Sequence, residues 1–239
     1  MLLRHARIPI PPPLHRCFYF IKVLHICQVN FVSNINLINR IKISMEQNIV
    51  ISPESKIGVG VVIEDNVKVL GASVVGDGSV LRSGTRLTNV TLGKNCEVTS
   101  SQIVDSTFGE NCVIGPFANV RANCVVANNV KVGAFVELKA AEIGAGTKIA
   151  HLSYVGDATL GQNINVGCGV VFANYDGVNK HKSIVGNNVF IGCNVNLVAP
   201  VNIADGTYIC AGTTVTKNTE PGDFVIGRVR QENKKRKNK

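Results

Sequence analysis

His151 stands in the segment Ala150-His151-Leu152-Ser153-Tyr154 and is one of only two histidines between residues 45 and 227. A neutral imidazole takes up a proton near pH 7. Acylating an ammonium ion needs that service, because only the free amine carries a lone pair. A hydrogen-bonded structural histidine is the plainer reading, and the sequence leaves both open. Unlike polar residues surround it: Arg121, Glu137 and Lys139 precede it, and Tyr154, Asn165 and Asn174 follow. Arg121, Lys139 and Asp157 are spaced by 18. If the chain turns once every 18 residues or so, Arg121 and Lys139 share a basic patch suited to a phosphate. The same two cations read equally well as a surface pair balanced by Glu137 and Glu142. A metal centre is disfavoured, since zinc takes three or four protein ligands and the region offers His151 and His181 alone as histidines.

The elements that must position these residues follow from a repeat. Aliphatic residues recur every six places from Ile51 through Ile57, Ile63, Val69, Val75, Leu81 and Leu87. The series continues, with occasional steps of five, through Leu92, Val98, Ile103, Phe108, Ile114, Val120, Val126, Val132, Leu138, Ile143, Ile149, Val155, Leu160, Val166 and Phe172. It returns as Val185, Ile191, Leu197, Ile203, Ile209 and Val215. Gly often follows the aliphatic residue, as at Gly58, Gly76 and Gly93, and is expected to relieve backbone angles at corners. Four places after the aliphatic residue sits a small or β-branched one, such as Ser79, Thr85, Cys96, Cys112, Cys124 and Thr147.

A period of six drifts around a helix, and it outlasts an ordinary amphipathic strand. A strand and a corner every six residues fits instead. The expectation is an all-β fold: a single-stranded, left-handed parallel β-helix of hexapeptide repeats over 45–217, about nine coils with an inner aliphatic ladder. The break at 173–184, with its polar residues and Gly177, predicts a loop extruded from that scaffold.

Charge is concentrated at the ends. Residues 1–44 carry six basic residues and no acid, residues 228–239 carry seven basic residues and one acid, and the segment between holds twelve basic and fifteen acidic residues. The net charge of +9 therefore argues against a nucleic-acid face. Residues 1–44 lie outside the repeat. They admit three readings: a start at Met45, a targeting or membrane-associating segment, or an ordered arm. Their apolar stretch is broken by Lys22, His25, Gln28 and Asn30, so no membrane span is expected. Residues 218–239 form a closing segment with a solvated basic tail. The eight cysteines include no C-x-x-C pair and read as reduced, buried thiols of a cytoplasmic protein.

The stretches IGPFANVR (114–121), VGAFVELKAAEIG (132–144), AHLSYVGDA (150–158) and NVGCGVVFANYDGVNKHKSIVG (165–186) carry a resemblance, as do VAPVNIADGTYICAGTTVTK (198–217) and GRVRQENK (227–234). From about residue 46 to 234 the chain resembles the acetyltransferase half of the bifunctional bacterial enzyme of UDP-N-acetylglucosamine synthesis. The resemblance implies N-acetylation of glucosamine 1-phosphate by acetyl-CoA, in a homotrimer with sites at subunit junctions. It implies His151 as general base and Arg121, Lys139, Tyr154, Asn165 and Lys180 on the sugar phosphate, with the Glu137 carboxylate in the same site. It places Cys168, Asn174, Tyr175, Cys193, Ala211 and Arg228 at acetyl-CoA. Cys193 and Cys168 stand where relatives often have Ser and Ala. The uridylyltransferase half needs a nucleotide loop that nothing before Met45 supplies, so if the chain is complete a separate uridylyltransferase is expected. Two other readings stay open: an acetyltransferase for another small amine or hydroxyl, and a non-catalytic trimeric scaffold.

Overall fold

A computed structural model of the chain describes residues 42–43 and 48–235. All 28 elements among the described residues are strands, most of them two or three residues long. The chain winds as a left-handed parallel β-helix of about ten turns, one more than the sequence suggests.

Three faces result. The first carries Val62–Ile63, Val80–Leu81, Glu97–Val98, Val113–Ile114, Lys131–Ala134 and Lys148–His151, and continues to Phe224–Val225. The second carries Lys68–Leu70, Arg86–Thr88, Gln102–Val104 and Asn119–Arg121, and the third Val74–Val75, Thr91–Leu92, Thr107–Phe108 and Val125–Val126. The strand Glu137–Ile143 turns the corner between them: Lys139 pairs with Arg121 on the second face and Ile143 with Val126 on the third.

Each ladder residue from Ile63 to Val215 points inward, and none is more than 3% exposed. Ile51 and Ile57 are partly buried against the same core. The small residues four places on are buried as well, including Ser79, Cys96, Cys112 and Thr147. Of the described thiols, Cys96, Cys112, Cys124 and Cys210 are buried, whereas Cys168 is half-buried and Cys193 exposed.

The glycines after the ladder residues serve a different purpose from the one expected. Gly58, Gly76 and Gly93 are absent from the left-handed backbone region. A Cβ on Gly76 would instead lie 2.7 Å from the Lys94 amide nitrogen of the next coil, so glycine is needed for coils to stack. The left-handed corners go to other glycines, such as Gly60, Gly78 and Gly84, and to asparagine, at Asn66, Asn95, Asn111, Asn163 and Asn188 among others. Its short amide tolerates that conformation and bonds locally. Asn95 donates to Asn111 at 3.4 Å, and Asn163 to Asn188 at the same distance.

The strand Lys42–Ile43 pairs in parallel with Val62–Ile63, so the winding includes residues that the periodicity left outside it. Residues 1–41 and 44–47, with the three readings offered for the extension, lie outside the described residues, as do 236–239.

The expected loop is present. Lys139 pairs with Gly156, 17 residues on, but Thr159 pairs with Ile184, 25 residues on. The extra length folds back as a hairpin in which Tyr175 and Lys180 bridge antiparallel. Asp176 closes its tip: its carboxylate accepts from the Val178 and Asn179 amides at 2.8 and 2.7 Å and pairs with His181 Nε2 at 2.7 Å. The Asn179 amide foremost, then His181, holds the Asp176 carboxyl far below the usual carboxylate range. His181 thus belongs to the loop's own bracing.

Candidate active site

The cation cluster is built at the corner between the second and third faces. Arg121 and Lys139 are register neighbours, as their spacing predicts. Arg121 donates from Nε and Nη2 to Glu137 Oε1 at 3.0 and 2.6 Å. Lys139 Nζ donates to both oxygens of Asp157 at 3.0 and 2.9 Å. Asp157 lies one residue beyond the register partner of Lys139, which is Gly156. Both readings of the two cations therefore hold in part. They share a patch, and carboxylates balance them, but Asp157 takes the place expected for Glu142, which pairs with Lys182 at 3.4 Å.

The hairpin adds the third cation. Asp157 holds the Lys139 ammonium pKa above its ordinary value. The neighbouring Lys139, with a smaller push from Arg121, lowers that of the exposed Lys180. Of two adjoining ammonium groups, the one anchored on a carboxylate keeps its proton more firmly. Three cations and two carboxylates thus meet here, an excess of one positive charge for an incoming anion.

Asn174 closes the cluster. Only 7% exposed, it donates from Nδ2 to Asp157 Oδ2, and to the Tyr154 hydroxyl at 3.3 Å. Gly156 makes room for this. A Cβ there would collide with the Tyr154 phenol and stand 2.9 Å from Asn174 Nδ2. Gly156 did not stand out in the sequence, and Asp157 did so only through its spacing of 18 from Lys139, with no role attached to it.

A second group lies along the corner between the first and second faces. Ile149, Val166, Ile191, Ile209 and Val225 are successive register partners. Two places after the first four come His151, Cys168, Cys193 and Ala211, which therefore form one column. Arg228 ends it, its Cδ 3.8 Å from where a Cβ on Gly212 would stand. The residues between His151 and Arg228 in this column are small, so the corner is a shallow track with an imidazole at one end and a guanidinium at the other.

His151 is exposed, and its imidazole has no hydrogen-bond partner among the described residues; its carbonyl accepts from Ser153 Oγ at 2.8 Å and from the Gly169 amide at 3.4 Å. The satisfied structural histidine is not what the structure shows. Asn165 lies on the first face, paired with Lys148 and Phe190. Tyr175 is 60% exposed on the hairpin, and its hydroxyl donates to the Gly177 carbonyl at 2.6 Å. Within one chain, then, Arg121, Glu137, Lys139, Tyr154, Asn174 and Lys180 converge. His151, Asn165, Tyr175 and the column residues make no side-chain hydrogen bond to that cluster.

The model of the bacterial transferase hexapeptide (six repeats) matches residues 105–140. The bifunctional protein GlmU of Listeria welshimeri is 43% identical over 196 residues, covering 82% of this chain and 43% of that protein. The GlmU of Shouchella clausii is 46% identical over 188 residues, covering 79% of this chain and 41% of its own length. The chain thus spans less than half the length of these relatives. The solved Arabidopsis UDP-N-acetylglucosamine acyltransferase aligns with a TM-score of 0.52 and 15% identity, over 76% of this chain and 64% of that one, a likeness of fold. By winding and by sequence, this chain is a hexapeptide-repeat β-helix similar to the part of the GlmU proteins that it spans.

Proposed function

We propose that the chain transfers an acetyl group from acetyl-CoA to the amine of glucosamine 1-phosphate, giving N-acetylglucosamine 1-phosphate and CoA. The observation that carries this reading is the convergence of Arg121, Lys139 and Lys180 beside Asn174 and Tyr154, with charge left over for a phosphate. Arg121 and Lys139 grip the phosphate and Tyr154 lines the sugar. His151, whose imidazole is unengaged, takes the proton as the amine attacks the thioester carbonyl. The carbon–sulfur bond then breaks, and the thiolate leaves as CoA. A backbone N–H near Cys168 stabilises the oxyanion. The track through Cys168, Cys193 and Ala211 to Arg228 suits an extended chain ending in phosphates. No nucleophilic Ser or Cys is required.

The two groups of residues belong to one reaction if a second copy brings its column to the first copy's cluster, in a homotrimer with composite sites. An apolar ridge beside His151 supports this. Phe117 and Phe135 stack at 5.2 Å between ring centroids, and with Leu152 they are 57–59% exposed. All three adopt left-handed backbone angles, costly for bulky residues and out of place on a bare surface. No helix among the described residues is long and apolar enough to cross a membrane; a cytoplasmic site of action is part of the proposal.

The test is acetyl-CoA consumption by residues 42–239 with glucosamine 1-phosphate, glucosamine 6-phosphate or glucosamine. Turnover should be fastest with the 1-phosphate. Equal rates with unphosphorylated acceptors would favour a different acetyltransferase, and no consumption would leave a scaffold.

A further inference from the structure

Asp157 occupies a corner column whose earlier members are Asn89, Asp105, Ala122 and Ala140, all with left-handed backbone. In the N-terminal coils this corner only braces itself: Asn89 donates to Asp105 at 3.0 Å. Ala140 shows that the corner needs no acid. The conformation of Asp157 therefore explains a short side chain there, but not a carboxylate directed at Lys139 and Asn174 together.

An ionised carboxylate can only accept hydrogen bonds. The Asn174 amide must therefore present its nitrogen to Asp157, and the Tyr154 hydroxyl is bonded by that same nitrogen. The amide oxygen is then the end turned away from Asp157. This matters for an amine nucleophile. An amine that donates to a carbonyl oxygen keeps its lone pair for attack. An amide N–H turned toward it would bind that lone pair and block the reaction.

From this geometry we infer that Asp157 is a positioning residue. By accepting from Lys139 and Asn174 at once, it sets the Asn174 amide so that its oxygen faces the substrate amine, and it fixes the Lys139 ammonium at the edge of the phosphate patch. Gly156 permits the arrangement by leaving space for the Tyr154 phenol. The inference rests on the acetyl-transfer reading and adds to it a residue that touches neither substrate.

The test uses the full chain with acetyl-CoA and glucosamine 1-phosphate. Asp157→Ala should lower kcat about 10- to 100-fold, the loss of hydrogen bonds to a charged group, with a smaller change in KM. Asp157→Asn keeps an acceptor and should recover part of that loss, which guards against a folding artefact. In the Asn174→Ala background, Asp157→Ala should change kcat little further, because the orientation it protects is already gone. Multiplicative losses in the double variant, or an unchanged kcat in Asp157→Ala, would overturn the inference. A second readout needs no turnover: modification of Lys139 by an amine-reactive acetylating reagent, followed across pH by peptide mass spectrometry. Asp157→Asn should move the Lys139 midpoint to lower pH, and an unmoved midpoint would also overturn the inference. An inactive wild type would instead refute the proposed reaction, a result distinct from either.

Discussion

Two ion-pair sites on the same β-helix have contrasting economies of hydrogen bonding. Around Arg82, Nη1 meets Glu64 at 2.8 Å and Nε meets Glu97 at 2.7 Å, while the Ser83 amide donates to Glu64 at 3.1 Å. One cation lies between two carboxylates, on side chains that are 32–45% exposed. Around Lys139 the balance is reversed. The Lys139 and Asp157 side chains are 13% and 21% exposed, Asn174 is buried against them, and Lys180 leans in without a carboxylate of its own. The first site closes on itself and tethers three coils. The second leaves a positive charge and an amide oxygen for something else. Sites with surplus polar capacity beside a half-buried pair are where ligands are recognised.

Five substitutions break or sharpen this contrast. The largest effect is expected at the unengaged imidazole. His151→Ala should reduce acetyl turnover by roughly 10²–10⁴-fold, with the β-helix intact by circular dichroism; an unchanged rate removes His151 from the mechanism. Next come the ladder residues beneath each site. Leu138→Ala and Leu81→Ala both empty a fully buried position. Each should cost about 2–5 kcal/mol in denaturant unfolding, but only Leu138→Ala, flanked by Glu137 and Lys139, should also depress activity. Loss of activity in both would mean that the whole winding, not the local coil, positions the cluster. Gly156→Ala comes third. Its Cβ displaces side-chain ends rather than backbone, so turnover should fall about tenfold, the equivalent of one neutral hydrogen bond, with little change in unfolding midpoint. The smallest effect is expected at the closed site: Arg82→Ala should cost less than about 1 kcal/mol, as exposed ion pairs do, and leave turnover unaltered.

The architecture was legible because a β-helix writes its core as a local period. Each of Ile63, Leu87, Val120 and Ile209 is inside for the same reason, a fixed spacing from the ladder residue before it. The same period placed Arg121 beside Lys139. The purpose of the glycines was not legible, since stacking room and backbone freedom call for the same residue type. The spacing of 18 brought Asp157 to the side of Lys139, but not the exact register, in which Lys139 pairs with Gly156 and Asp157 lies one residue beyond.

Sequence alone determined the winding, the inner ladder, the extruded loop and the roster of candidate residues, since each depends on neighbours a few places apart. Tertiary structure decided which candidates meet. The five-residue steps shorten some coils by one, and the hairpin inserts a detour. Side chains that a uniform repeat would align are thereby shifted past one another. Such offsets accumulate through space rather than along the chain. That is why Asp157 holds both Lys139 and Asn174, while His151 stands on a different corner.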